Sequence, residues 1–340
     1  MPARSKAGKP KSRKSRRNAV SSNGRGAKGA LDKALKGALR VGKQQAAAVF
    51  AARKPKRARR AAAVRKHLRL LRKGAHAEAA ALGAPAPASA GVLVAEGDSW
   101  FDYPLYDVIK LLDDEYGYEI ETVAHRGDPI ETMAYGGGQL DDFARRLERV
   151  LRGGVTPKAI MLSGGGNDVA GGVFAMLIDH RQSASPGLNH AILDGVVGQR
   201  VRLAYVTILS AVTHLCEQYL GVAVPILVHG YDYPVPDGRG FLGRFGPLPG
   251  PWLEPGFREK GYGDLAERIA IAAQLIDRFN TMVGEVSTMP EFAHIRYVDL
   301  RNTLSNAPSN YRTWWGNELH PTRRGFKAVT ARFAAVLAGL

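Results

Sequence analysis

Val92-Leu93-Val94-Ala95 runs directly into Glu96-Gly97-Asp98-Ser99-Trp100-Phe101. An apolar run of this length, closed by a glycine turn, is what a strand buried on both faces of a parallel sheet requires. Such strands stop at the carboxyl edge of the sheet, and ligands of open α/β folds bind in the crevice beyond that edge. Gly97 permits a sharp turn, so Ser99 is delivered beyond the strand end, where a nucleophile would stand. A turn in which Asp98 and Ser99 only satisfy nearby backbone groups fits the same residues.

The rest of residues 91–340 repeats this logic. Strands are expected at 92–96, 118–124, 158–163, 223–229 and 294–299. Helices are expected at 104–115, 139–152, 196–220, 261–286 and 323–338. Strand and helix in alternation imply a parallel sheet covered on both faces, a three-layer α/β domain. About five strands suggest the flavodoxin-like order 2-1-3-4-5, whose switch point lies beside the first strand, next to Ser99. Two insertions, 169–195 and the Gly/Pro/aromatic-rich 230–260, are long enough to shape a pocket at that edge.

Charge divides the chain. Residues 1–80 hold 25 Lys and Arg against Asp32 and Glu78, whereas the remaining 260 residues hold 23 basic and 29 acidic side chains. The net charge of +17 therefore belongs to an N-terminal arm. Residues 1–27 are too polar to fold alone. Residues 28–52 and 58–81 are rich in Ala, Leu, Lys and Arg and suit basic helices. The arm, disordered or partly helical, reads either as a solubilising tail or as an anchor for nucleic acid or another polyanion through phosphate contacts. Ala81-Leu82-Gly83-Ala84-Pro85-Ala86-Pro87-Ala88-Ser89-Ala90 is a semi-rigid linker. Cys216 is the only cysteine, which excludes an intrachain disulfide, and its apolar surroundings fit a buried thiol. No apolar run has transmembrane length, and the arm lacks the apolar core of a secretory signal, so a cytoplasmic setting is expected.

Three further segments stand where chemistry at Ser99 would need them: Ala124-His125-Arg126-Gly127-Asp128, Ser163-Gly164-Gly165-Gly166-Asn167-Asp168, and Gly316-Asn317-Glu318-Leu319-His320-Pro321. Gly97-Asp98-Ser99, Gly127, Gly165-Gly166-Asn167-Asp168 and His320 resemble, in order and spacing, the four blocks of the SGNH, or GDSL-type, hydrolases. The resemblance covers about 91–340 and leaves the basic arm outside. It implies an ester hydrolase with Ser99 as nucleophile and His320 as general base. It also implies an oxyanion hole from the Ser99 N–H, the Gly127 N–H and the Asn167 amide, with no cofactor and no metal. A small-molecule, glycan or lipid ester is the implied substrate. Acyl transfer to a second alcohol would use the same residues. A polyanion-binding protein built on a degenerate hydrolase scaffold is the alternative of another class.

One position departs from the pattern. Three residues before the histidine the family usually carries Asp, and here stands Asn317. An amide oxygen orients an imidazole in Cys-His-Asn proteases, yet in a serine protease the Asp-to-Asn change lowers kcat by about 10⁴ through the wrong tautomer. Asn317 as orienter, or Glu318 as the acid through a shifted turn, are both open. Asp98 and Asp168 read as bracing residues. His229 reads as a core histidine or a pocket residue, and Tyr231 and Trp252 as ligand contacts or loop packing.

Overall fold

The computed structural model describes residues 28–47, 51, 89–241 and 249–340. Its sheet is built outward from β1 (Val92–Glu96), which pairs in parallel with β2 (Glu119–Thr122) on one side and β3 (Ala159–Leu162) on the other. Two-residue strands β4 (Ile178–Asp179) and β5 (Gly187–Leu188) form a separate antiparallel hairpin in the first insertion. β6 (Ile226–His229) pairs with β3, and β7 (Ile295–Val298) pairs with β6, all in parallel. The main sheet therefore runs β2-β1-β3-β6-β7, the flavodoxin-like order expected from the strand–helix alternation. Leu93, Val94, Ala95 and all of β3 and β6 are buried, as a strand covered by helices on both faces demands.

Helix α1 spans residues 28–47, and α2 (Val108–Tyr116), α3 (Ile130–Tyr135) and α4 (Gln139–Arg152) follow. α5 (His190–Gly195) continues through a π-type segment, Val196–Val201, into α6 (Arg202–Leu220). Beyond these lie α7 (Glu254–Glu259), α8 (Leu265–Ser287), α9 (Tyr311–Trp314) and α10 (Arg323–Ala338). Side-chain caps explain where several helices depart from the expected bounds. Asp107 accepts from the Lys110 N–H at 2.8 Å and from the Tyr103 N–H at 3.2 Å, so 103–107 is a turn and α2 starts at Val108 rather than 104. Asn189 caps α5 through the Ile192 N–H at 3.1 Å, which starts the expected 196–220 helix early. Asp264 caps α8 through the Glu267 N–H at 2.8 Å, four residues later than apolar periodicity suggests.

α1 lies on the body of the sheet domain. Ala38, Gly42 and Ala46 face α6, Ser210 donates to the Leu39 carbonyl at 3.0 Å, and a Cβ at residue 42 would come within 2.5 Å of the Thr207 carbonyl. The basic stretch 1–27, all of the expected 58–81 helix and all of the 81–90 linker except Ser89 and Ala90 lie outside the described residues. Cys216 is buried in α6, and burial pushes its thiol up to about 12. Among the described residues no helix is long and apolar enough to cross a membrane.

Candidate active site

Crowding at the end of β1 dictates its sequence. A Cβ on Gly97 would come within 2.8 Å of the Ser163 Cβ and 2.9 Å of the Phe101 ring, so only glycine lets the turn pass under β3. Asp98 then fixes that turn. Its Oδ1 accepts from the Trp100 N–H at 3.0 Å and the Ser163 hydroxyl at 2.8 Å, and its Oδ2 accepts from the Tyr231 hydroxyl at 2.5 Å. The carboxylate is buried and bonded on both oxygens, so it braces three strand ends rather than one local turn. Ser99 follows it at the start of a helical turn closed by Phe101 N–H and Asp102 N–H, each donating to the Asp98 carbonyl at 3.0 Å.

The Ser99 hydroxyl lies 2.7 Å from His320 Nε2, and His320 Nδ1 lies 3.0 Å from Asn317 Oδ1. The structure thus brings Ser99, His320 and Asn317 into one line across residues far apart in the chain. The tautomer follows from the other bonds of Asn317. Its Oδ1 also accepts from the Leu319 N–H at 3.0 Å and the His320 N–H at 2.8 Å. Turning the amide over would point its NH₂ group at two backbone N–H donors, which is repulsive, so Oδ1 must face the imidazole. Nδ1 then carries the proton and Nε2 presents its lone pair to the Ser99 hydroxyl. Asn317 Nδ2 donates to the Tyr103 hydroxyl at 3.2 Å, and the Tyr103 ring stacks on His320 with centroids 4.5 Å apart. His320 is enclosed, and with no carboxylate beside it burial lowers its pKa to about 3.

Glu318 does not meet the histidine. Its Oε1 accepts from the Gly238 and Glu254 N–H groups, each at 3.0 Å. Its Oε2 accepts from the Trp252 N–H at 2.6 Å and the Leu253 N–H at 2.8 Å. The side chain is buried, and its carboxylate is spent on the second insertion, so the shifted-turn alternative fails on direction. Burial raises its pKa, opposed by those four N–H groups.

Gly127 and Asn167 close the third side. Gly127 has a φ of 88° with open space where a Cβ would stand, so glycine is needed for conformation and not for room. Its loop is laced to the serine loop: the His125 N–H donates to the Gly97 carbonyl at 2.8 Å, and the Arg126 N–H to Asp102 Oδ2 at 3.2 Å. Asn167 Nδ2 donates one bond, to the Asp128 carbonyl at 3.2 Å, which holds the amide against the Gly127 loop. The N–H groups of Ser99 and Gly127 meet no protein acceptor among the described residues. Ser99, Gly127, Asn167 and His320 line a common cleft with Tyr103 and Trp252. Asp168 accepts from the Ile130 N–H at 2.7 Å, bracing this loop to the start of α3, and burial pushes its carboxyl up to about 6.

His229 is a core residue. It is wholly buried among Trp100, Phe101, Tyr231 and Phe333, with its Nδ1 on the Gly230 carbonyl at 2.7 Å, and burial lowers its pKa. Tyr103 carries no mark in the sequence, and Ser163 only the place after an apolar run; folding alone brings them onto Asn317 and Asp98. Among the described residues no group of three His, Cys, Asp or Glu side chains has the arrangement of a metal site.

No protein-family model matches the sequence, and no curated protein matches it either. Solved structures do. A lipase from a goat rumen metagenome is 14% identical, with a TM-score of 0.44 over 72% of this chain and 96% of the other. A member of the lipolytic G-D-S-L family from Veillonella parvula DSM 2008 is 13% identical, with a TM-score of 0.38 over 73% and 99%. An acetylxylan esterase from Geobacillus stearothermophilus is 14% identical, with a TM-score of 0.35 over 73% and 94%. Of these three solved structures, one is described as a lipase, one as a member of the lipolytic G-D-S-L family and one as an acetylxylan esterase.

Proposed function

We propose that this protein is a serine-dependent carboxylic ester hydrolase that works through an acyl-enzyme on Ser99. The reading rests on one observation above all: the 2.7 Å contact of Ser99 Oγ with a His320 Nε2 whose opposite nitrogen is tied to an amide of fixed orientation. As Ser99 Oγ bonds to the ester carbonyl carbon, its proton passes to His320 Nε2. The carbonyl oxygen becomes an oxyanion facing the Ser99 N–H, the Gly127 N–H and the Asn167 amide. Collapse breaks the bond to the alcohol oxygen, which takes the proton from Nε2. Water then repeats the sequence on the acyl-enzyme and releases the acid. Each oxyanion donor supplies about 2.7–4 kcal/mol of transition-state stabilisation. Asn317 keeps the productive tautomer but brings no negative charge to the imidazolium, so the enzyme is expected to be slower than one with aspartate there. Covalent labelling by a fluorophosphonate tests the reading. Stoichiometric label on the Ser99 peptide, absent from Ser99→Ala, is the expected result, and an unlabelled native protein overturns it.

A second activity is favoured by α1. Lys33, Lys36, Arg40 and Lys43 recur every three or four residues on its exposed side, opposite Ala38, Gly42 and Ala46, and none pairs with a carboxylate among the described residues. With its apolar side occupied by α6, this helix offers charge and no lipid-inserting face, and its exposed side carries no aromatic residue for base stacking. That combination suits the phosphates of duplex nucleic acid. Retention on DNA that falls steeply with salt, and a shallower salt slope when the four cations are changed to glutamine, are expected. Unchanged retention in that variant removes α1 from the contact.

A further inference from the structure

Beside Ser99 and His320, on the side away from Gly127, lies a second space. It is bounded by Val169 from the first insertion, Leu253 from the second, and Ala272, Leu275, Ile276 and Phe279 from α8. The α8 residues recur at the i, i+3, i+4, i+7 spacing of one helix face, so α8 is the floor of this chamber. The polar groups of Tyr231 and Asp232 in its wall are already used, whereas the Nε1–H of Trp315, also in the wall, is buried with no partner among the described residues. The Tyr231 hydroxyl donates to Asp98, and Asp232 accepts from the Asn302 N–H at 2.9 Å and the Leu304 N–H at 2.6 Å. The rest of the lining is mostly apolar, with Ser99, Asn167 and His320 also on the wall.

The chamber is small. Its volume is about 60 Å³, whereas an engineered apolar cavity of about 150 Å³ is what accepts a six-carbon ring. Its walls are not free to retreat. Leu253 is held through its N–H by Glu318, and the Phe279 ring packs against Tyr231 at 5.3 Å, itself pinned to Asp98. Glu318 thus serves the site from the other side: it sets the distance between the second insertion and His320, and with it the depth of the chamber.

Resting on the ester-hydrolase reading, we infer that this chamber receives the acyl group and limits it to two to four carbons. The alcohol then leaves through the open cleft lined by Tyr103 and Trp252. The substrate class is short-chain acyl esters, acetyl and propionyl above all, of alcohols larger than the acid. Fatty acyl esters have no place for the chain beyond Leu275 and Phe279. Ala272 and Leu275 are specificity-determining residues, because they touch the acyl tail and none of the reacting atoms.

The full-length protein is assayed with p-nitrophenyl acetate, propionate, butyrate, hexanoate and octanoate. Expected is a kcat/KM that is highest for acetate or propionate and at least about tenfold lower for octanoate, a discrimination within the range that methylenes give in an apolar pocket. Leu275→Ala should move the optimum to butyrate or hexanoate. Ala272→Leu should depress propionate and butyrate while sparing acetate. Thermal unfolding of both variants shows that they are folded, and two opposite shifts cannot arise from partial misfolding. A flat or rising profile to octanoate in the native protein, or a profile untouched by both substitutions, overturns the chamber assignment and leaves the hydrolase standing. No turnover at any chain length overturns the hydrolase reading and this inference with it.

Discussion

Ser99 stands one turn beyond the end of β1, whereas His320 stands in a loop between α9 and α10, and the two are held by different means. On the serine side the sheet does the work. β1 is in parallel register with both neighbours, and Asp98, His125 and Asp168 lace the loops that leave the strand ends. On the histidine side there is only an isolated antiparallel bridge, Trp315 with Pro321, and two consecutive polar side chains add to it. Asn317 gathers the Leu319 and His320 N–H groups around the imidazole, and Glu318 gathers four N–H groups from the second insertion. Ser99 is thus positioned by the sheet, and His320 mainly by buried acceptors that satisfy loop backbone. Loops without ladder bonds must find such acceptors or leave their N–H groups unpaired.

Removing those acceptors should show the difference most strongly. Asn317→Leu strips the imidazole of its orienter and leaves two backbone donors bare, so kcat should fall by about 10²–10⁴ with little change in KM. Asn317→Asp keeps the bonds that Oδ1 accepts, requires the Tyr103 hydroxyl to donate where it now accepts from Nδ2, and adds charge. Steady-state kinetics should show kcat rising by about tenfold, since the tautomer is already correct and only imidazolium stabilisation is gained. A fall in kcat for the aspartate variant would mean that the amide does more than orient.

Glu318→Gln leaves donors facing an NH₂ group, at a cost of about 1–3 kcal/mol for each N–H left unsatisfied. Urea unfolding should register the loss, and the selectivity between acetate and octanoate should narrow as the Leu253 wall loosens. The comparable carboxyl on the serine side is Glu96, which is buried and, among the described residues, has one donor, the Gly97 N–H at 2.9 Å, and no partner for Oε2. Burial lifts its pKa from 4.5 to about 8, so the folded protein keeps a proton that the unfolded chain loses. Its contribution is complete below pH 4.5 and lost as pH rises through about 8. Glu96→Gln should therefore flatten the decline of Tm across that window, a change with the opposite sign to that of Glu318→Gln.

The smallest effect is expected in the acid limb of the rate profile. Because burial holds His320 at about 3, the imidazole is neutral and able to accept a proton throughout the ordinary range. The kcat/KM profile should stay level from pH 8 down to pH 5, and fall only as pH approaches that value. In Asn317→Asp the added carboxylate favours the imidazolium, so the acid limb should move upward.

Much of this was legible along the chain. Val92–Ala95 is apolar without a polar alternation, and five such runs separated by helical stretches leave few choices besides a parallel five-stranded sheet. The Gly97-Asp98-Ser99 turn and the Gly165-Gly166-Asn167-Asp168 loop follow directly on two of those strands. Helix bounds were less legible, because the caps Asp107, Asn189 and Asp264 compete with many similar residues until the backbone around them has formed. The contacts of Tyr103 and Ser163 had no mark in the sequence, since their partners lie 214 and 65 residues away.

The pair Asn317-Glu318 divides what each level decides. Sequence alone determined the five-strand alternation, the position of Ser99 at a strand end, and the presence of an amide three residues before His320. These depend on periodicity and local spacing, which are properties of neighbouring residues. Which of the two side chains faces the imidazole, which way the amide is turned, and how deep the chamber beside Ser99 runs were decided only by the tertiary structure. Each depends on donors and walls brought from distant segments, and a hydrogen bond to a backbone N–H has no signature until that backbone is in place.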